Sequence, residues 1–204
     1  MVEWFRRFGD IPGISFTKDP AIDPSELVGY AAVPEQHALD AGGERHEYVE
    51  WAYGGSRGSA SPAHGRAFGD PGDGTIAAVL QNCMEGLELP GEPSDYHFLI
   101  QGSASELWRR RREEPGVIED VERLCWLDLQ LVEARPDCVT YEQGEGSRFF
   151  VIGAFGTLIS LFEREGALHE ALEVAERADR FGQGSEPREE LAERIAAVEN
   201  EARG

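Results

Sequence analysis

The sequence predicts a mainly α fold: stacked antiparallel helical hairpins preceded by an irregular N-terminal segment that holds short strands. Three observations lead there. Residues 73–204 fall into long blocks whose apolar residues recur every three or four positions. Glycine, proline and capping residues punctuate those blocks. Residues 1–72 show no such period and are broken by Gly, Pro and Ser, most densely at 54–62, so a domain boundary is expected at 72/73.

Before the boundary, residues 14–17 and 28–33 carry β-branched and aromatic content, and residues 47–53 read as a strand or a helical turn. Residues 54–74 read as a linker or a loop fixed by tertiary contacts. The aromatic residues Trp4, Phe5, Phe8, Phe16, Tyr30, Tyr48, Trp51 and Tyr53 are dense for an irregular region. They are expected to form the apolar side of a lid packed on the helices, since that many exposed rings would promote aggregation.

Beyond the boundary six helices are expected. Ile76, Val79, Leu80, Cys83, Met84 and Leu87 form one apolar stripe, closed by Gly86 and Pro90. Ser94 or Asp95 is placed to cap the second helix, which runs through Phe98, Leu99 and Trp108 to the arginines at 109–112, after which Pro115-Gly116 turns the chain. Residues 117–134 are apolar on most sides, which requires neighbours on several faces and marks a central helix, stopped at Arg135-Pro136-Asp137. Residues 138–146 have some extended character. Ser147 is a candidate cap for a helix bearing Phe149, Phe150, Phe155, Leu158, Ile159 and Phe162, ended by Gly166. Leu168, Ala171, Leu172, Ala175, Ala178 and Phe181 face one way on the fifth helix. The sixth, opened by Ser185-Glu186-Pro187, turns Leu191, Ala192, Ile195 and Val198 inward. Helices joined this tightly pack antiparallel.

Phe155, Leu158, Phe162, Gly166, Leu168, Ala171 and Ala178, with the stretch from Leu161 to Leu172, resemble a tetratricopeptide repeat, in which bulky residues of one helix seat on small residues of the next. A degenerate earlier unit is similar in outline: Ser105 and Trp108 on its first helix, residues 117–134 as its second, Pro136 at its end. Departures are Ile159 where a small residue is usual and Gln183 where proline is usual. The resemblance implies a non-catalytic module that holds a peptide segment in a helical groove. By position, the groove would be lined by Glu106, Arg109 and Arg110 in the earlier unit and Ser160, Glu163 and Arg164 in the later one, with the last helix as a polar cap.

Composition narrows the alternatives. Thirty-nine acidic against 19 basic residues give a formal charge of −20, which repels a phosphate backbone and argues against a nucleic-acid partner. No apolar run reaches the roughly 18 residues of a membrane span and no leader is evident at the amino end, so a cytoplasmic protein without a membrane partner is expected. Lys18 is the sole lysine and Glu outnumbers Asp, a bacterial-type bias attributed to a GC-rich genome or a warm habitat. Cys83, Cys125 and Cys138 fit no metal spacing and read as buried and reduced.

The sequence holds no catalytic signature and implies no cofactor. Four consecutive arginines, 109–112, spread around their helix and read as a solvated face, with Arg109–Glu113 and Arg110–Glu114 pairs one turn apart. Asp128, on an apolar stripe of the central helix, should be paired or carry a raised pKa. His37, His46, His64, His97 and His169 show no one-turn spacing, so no metal is assigned to them. The rival to peptide binding is a small-molecule binder or enzyme with a pocket between the N-terminal segment and the helices, containing Asp128 and one or more histidines. A third reading, an accessory subunit or homo-oligomer stable only when assembled, predicts a concentration-dependent melting temperature.

Overall fold

A computed structural model of the chain describes residues 3–41, 44–69, 74–112, 114–142 and 148–203. It is mainly helical, and its contacts divide it into two compact units, Met1–Cys138 and Val139–Gly204. The compositional boundary at 72/73 therefore falls inside the first unit, because segments on both sides of it bury their apolar residues together.

In the first unit β1 (Glu35–Ala41), β2 (Glu44–Tyr53) and β3 (Ser56–Gly58) form an antiparallel meander. Its inner face buries Val49 and Trp51 against Ala32, with Trp4 set edge-on to Trp51 at 5.6 Å. Residues 47–53 are thus strand. Residues 14–17 and 28–33 are not: their backbone groups are taken by turns such as Ala32 N–H to the Gly29 carbonyl, and Ser15 N–H goes to the side chain of Gln130. The expected linker holds β3 and a short helix, α1 (Pro62–Ala67), capped by the Ser61 hydroxyl.

Helices α2 (Ile76–Leu87), α3 (Pro93–Arg110) and α4 (Ile118–Ala134) supply the main core. Leu87, Leu99, Ile100, Leu107, Leu124 and Leu131 are almost fully buried in it. Helix α4 buries residues on more than one face, including Val121, Leu124, Leu127 and Val132, as a central helix must. The cap of α3 is one of the surprises. Glu92, not Ser94 or Asp95, holds the N-cap position, Pro93 follows, and Asp95 reaches back to the Glu92 N–H at 2.9 Å in a reciprocal capping box. Most of the N-terminal aromatic residues are packed: Phe8 is buried with Ile11 and lies edge-on to Tyr96, and Phe5 and Gly91 exchange two backbone hydrogen bonds, whereas Tyr48 is exposed.

In the second unit, β4 (Thr140–Glu142) pairs with β5 (Arg148–Phe149) ahead of α5 (Gly153–Glu165), α6 (Leu168–Asp179) and α7 (Ser185–Arg203). The expected cap Ser147 lies outside the described residues, and α5 starts at Gly153 because residues 148–149 are committed to the ladder. Gly166 ends α5 in the left-handed conformation, φ 77°. Phe155, Leu158 and Phe162 bury against a partner helix whose Ala171, Ala175 and Ala178 are wholly inaccessible to solvent. The α6 stripe is rotated from the expected one, with Val174 buried and Leu168 and Leu172 only half-buried. On α7 only Leu191 is fully buried; Ile195 is half-buried, and Ala192 and Val198 are exposed.

Candidate functional site

A concavity of about 1190 Å³ lies wholly within the first unit. One wall is the irregular stretch from Ser15 to Leu27, and the others are faces of α2 and α4. Local chemistry explains why the stretch stays irregular yet ordered. Asp19 accepts the Ala21 N–H and Asp23 accepts both the N–H and hydroxyl of Ser25, side-chain turns that replace a ladder. Those Ser25 hydrogen bonds hold the Asp23 carboxyl below its ordinary range. Phe16 packs edge-on against Phe8, and Gln130 of α4 grips the Ser15 N–H at 2.9 Å.

The walls differ in character. Leu80 and Met84 of α2, with Trp126 and Leu127 of α4, make an apolar floor, and Phe16 and Ile22 face it from the stretch. The charged residues are Lys18, Asp19, Asp23, Glu26, Glu85 and Arg123. Arg123 is paired with Asp120, and Glu85 with Arg66 at 2.7 Å. Three carboxylates of the stretch thus outnumber its one lysine, and the cleft favours a cationic guest with apolar anchors. The cleft lies between the N-terminal segment and the helices, where the rival reading put a pocket containing Asp128 and one or more histidines. Neither Asp128 nor any histidine lines it.

Asp128 instead meets His97 in the core of the same unit, Nδ1 and Oδ1 lying 2.7 Å apart with both side chains essentially inaccessible. Burial pushes the Asp128 carboxyl above its ordinary range, and the hydrogen bond from His97 pulls against that rise. Asp128 Oδ2 and His97 Nε2 have no hydrogen-bond partner among the described residues. The cysteines are buried and reduced as expected; burial pushes the Cys83 thiol up to about 11 and that of Cys125 up to about 12.

A second polar focus joins α1 to α3. Asp95 accepts the Ser61 hydroxyl at 2.6 Å and sits 3.0 Å from His64 Nδ1, while Ser61 Oγ accepts the His64 N–H. The arrangement orients an imidazole that is 43% exposed, but Ser61 is engaged with Asp95 rather than with His64, so it is not an activated nucleophile. Its evident work is to cap two helix N-termini. Glu92 beside it has a carboxyl raised first by burial and then by the charge of Asp95.

The outer face of the meander gathers Glu35, His37 and Glu50, whose donor atoms all lie within 4.8 Å of one another. The residues fixed on by sequence reasoning lie elsewhere. Glu106 holds Arg109 at 2.7 Å and also pairs with Arg110, so both arginines reach back along α3 rather than forward. Hydrogen bonding from Arg109 lowers the Glu106 carboxyl. Glu113 lies outside the described residues, as does the side chain of His46. Arg111 stacks over Trp108 at 3.9 Å. In the second unit Glu163 pairs with Arg194, Ser160 is half-buried, and Arg164 and His169 are exposed. Set against family models, curated proteins and solved structures, the chain matches none of them.

Proposed function

We propose that the protein is a non-catalytic binding module whose guest is a peptide segment carrying basic and apolar side chains, held in the cleft between residues 15–27 and the helices α2 and α4. One observation supports this above others: a cleft of about 1190 Å³ with an apolar floor and an acidic rim. That volume exceeds the roughly 300–1,000 Å³ of ordinary small-ligand pockets and suits several residues of extended chain. Leu80, Met84 and Trp126 supply anchoring contacts, and Asp19, Asp23 and Glu26 sit where a lysine or arginine of the guest would lie. This shifts the proposed groove from the six polar residues of the repeat-like helices, four of which, Glu106, Arg109, Arg110 and Glu163, are held in ion pairs inside their own unit.

Peptide display on the full chain, followed by calorimetry, tests the reading. Selected peptides are expected to be rich in Arg or Lys beside a bulky apolar residue. Leu80→Glu and Trp126→Ala should each weaken them about tenfold or more, equivalent to roughly 1.4 kcal/mol. Selection of no peptide, or of peptides whose affinity survives both substitutions, overturns it. A small compound that raises the melting temperature by mass action and loses that effect in Leu80→Glu would transfer the cleft to the rival small-molecule reading.

A further inference from the structure

We propose that the outer face of the meander is a site for a borderline divalent metal ion of the Zn2+ class, bound by Glu35, His37 and Glu50 in exchange for the guanidinium of Arg57. The strand register creates the donor set. Glu35 lies directly opposite Glu50 across the β1–β2 ladder, and His37, two residues along from Glu35, projects from the same face. Arg57 reaches that face from β3, where it pairs with Ala52, two residues from Glu50. His37 stacks on its cross-strand partner Tyr48, with ring centroids 5.3 Å apart, which fixes the plane of the imidazole.

Two features separate this cluster from an ordinary acidic surface. The first is the state of His37 Nε2. Although the side chain is 37% exposed, this nitrogen is out of contact with solvent and makes no hydrogen bond. It lies 3.7 Å from Glu35 Oε2 and 3.6 Å from Glu50 Oε2, too far for hydrogen bonds to either. Ligands about 2.0–2.1 Å from a tetrahedral ion sit roughly 3.3–3.4 Å from one another, so each gap between His37 and a carboxylate needs to close by only a few tenths of an ångström. The second is that a cation already occupies the position between the carboxylates: Arg57 Nη1 is 2.9 Å from Glu35 Oε2 and 3.0 Å from Glu50 Oε2.

The same two oxygens serve the guanidinium and the proposed ion, so the two cations compete. Arg57 Nη2 is also 3.4 Å from Glu35 Oε1, so the guanidinium spans both oxygens of that carboxylate and must leave Oε2 for an ion to bind there. One imidazole and two carboxylates select zinc and its first-row neighbours over magnesium and calcium, which prefer all-oxygen shells. Water would complete the coordination on this exposed face. Sequence spacing does not mark this donor set, because Glu35, His37 and Glu50 converge only through strand pairing.

The test uses the full chain without a polyhistidine tag, titrated with Zn2+ in a calorimeter and with Co2+ in a spectrophotometer. One equivalent of Zn2+ should bind, and Co2+ should develop the visible absorption of a low-coordinate nitrogen and oxygen site. His37→Ala and Glu50→Gln should each weaken binding by about tenfold or more. Arg57→Gln should tighten it, a gain that a purely structural ion-pair network would not give. His64→Ala should leave it unchanged, and metal-free melting curves verify that every variant is folded. Absence of binding, binding that survives His37→Ala, or an affinity that Arg57→Gln fails to raise overturns the proposal.

Discussion

Asp128 and His97 show how much depends on a single buried atom pair. Each makes the other tolerable in an apolar core, so removing one strands its partner. Asp128→Leu or His97→Leu alone should cost about 3–5 kcal/mol in urea unfolding, while the double substitution should recover most of that loss. Additive costs would show that the pair is not coupled. The thiols make a separate prediction. Cys83 and Cys125 titrate higher in the folded chain, about 11 and 12, than the ordinary 9.0, so the native state retains protons that the unfolded chain releases. Their contribution to stability is therefore fully present below about pH 8.5 and is lost as pH rises toward 11 and beyond. All three cysteines should resist a thiol reagent in the native protein at pH 8 and react in denaturant; fast reaction of Cys83 or Cys125 in native buffer would contradict their burial. Arg111→Ala should cost roughly 0.5–1 kcal/mol, because the side chain covers Trp108.

At the level of elements, most helices were legible and the strands only in part: residues 47–53 read as a strand or helical turn and 138–146 as partly extended, while β1, β3 and α1 gave no signal. Helices α2 to α5 write their buried stripes into the sequence with a helical period, that of α6 is rotated and that of α7 shrinks to Leu191, and Gly166 or Pro136 marks where the chain must turn. Strand β1, Glu-Gln-His-Ala-Leu-Asp-Ala, has no β-branched residue; it is a strand because β2 offers it a ladder. Residues 14–17 carry the opposite mismatch, strand-like composition with turn-like bonding. The candidate cleft was hidden for a related reason, since it needs Ser15 to meet Gln130, 115 residues away. The α5–α6 contact gives the sharpest element-scale test. Ala171→Leu and Ala178→Leu should each cost on the order of 1–3 kcal/mol by overpacking. Gly184→Ala should also destabilise the α6–α7 junction, because its methyl group would collide with the Ala175 carbonyl and the Asp179 nitrogen. Melting temperatures equal to the parent's for all three would refute the close approach of these helices.

For the molecule as a whole, the division into two units predicts separable folding. Residues 1–138 carry their own core, from Trp51 and Phe8 to Leu124, so that fragment should give a helical circular dichroism spectrum and a cooperative melt. Residues 139–204 form a unit small enough to be marginal alone. A fragment 1–138 without cooperative unfolding would show the division to be geometric only. The charge of −20 acts on the entire chain; added salt should raise its melting temperature by screening self-repulsion. No described helix is long and apolar enough to cross a membrane. One further property follows from Lys18, the only lysine in 204 residues, standing at the edge of the cleft. An amine-directed dye has just one side chain to label, so once the α-amino group is blocked a single fluorophore can be installed beside the apolar floor of the cleft. Its brightness would then report, titration by titration, whether the proposed peptide guest binds there.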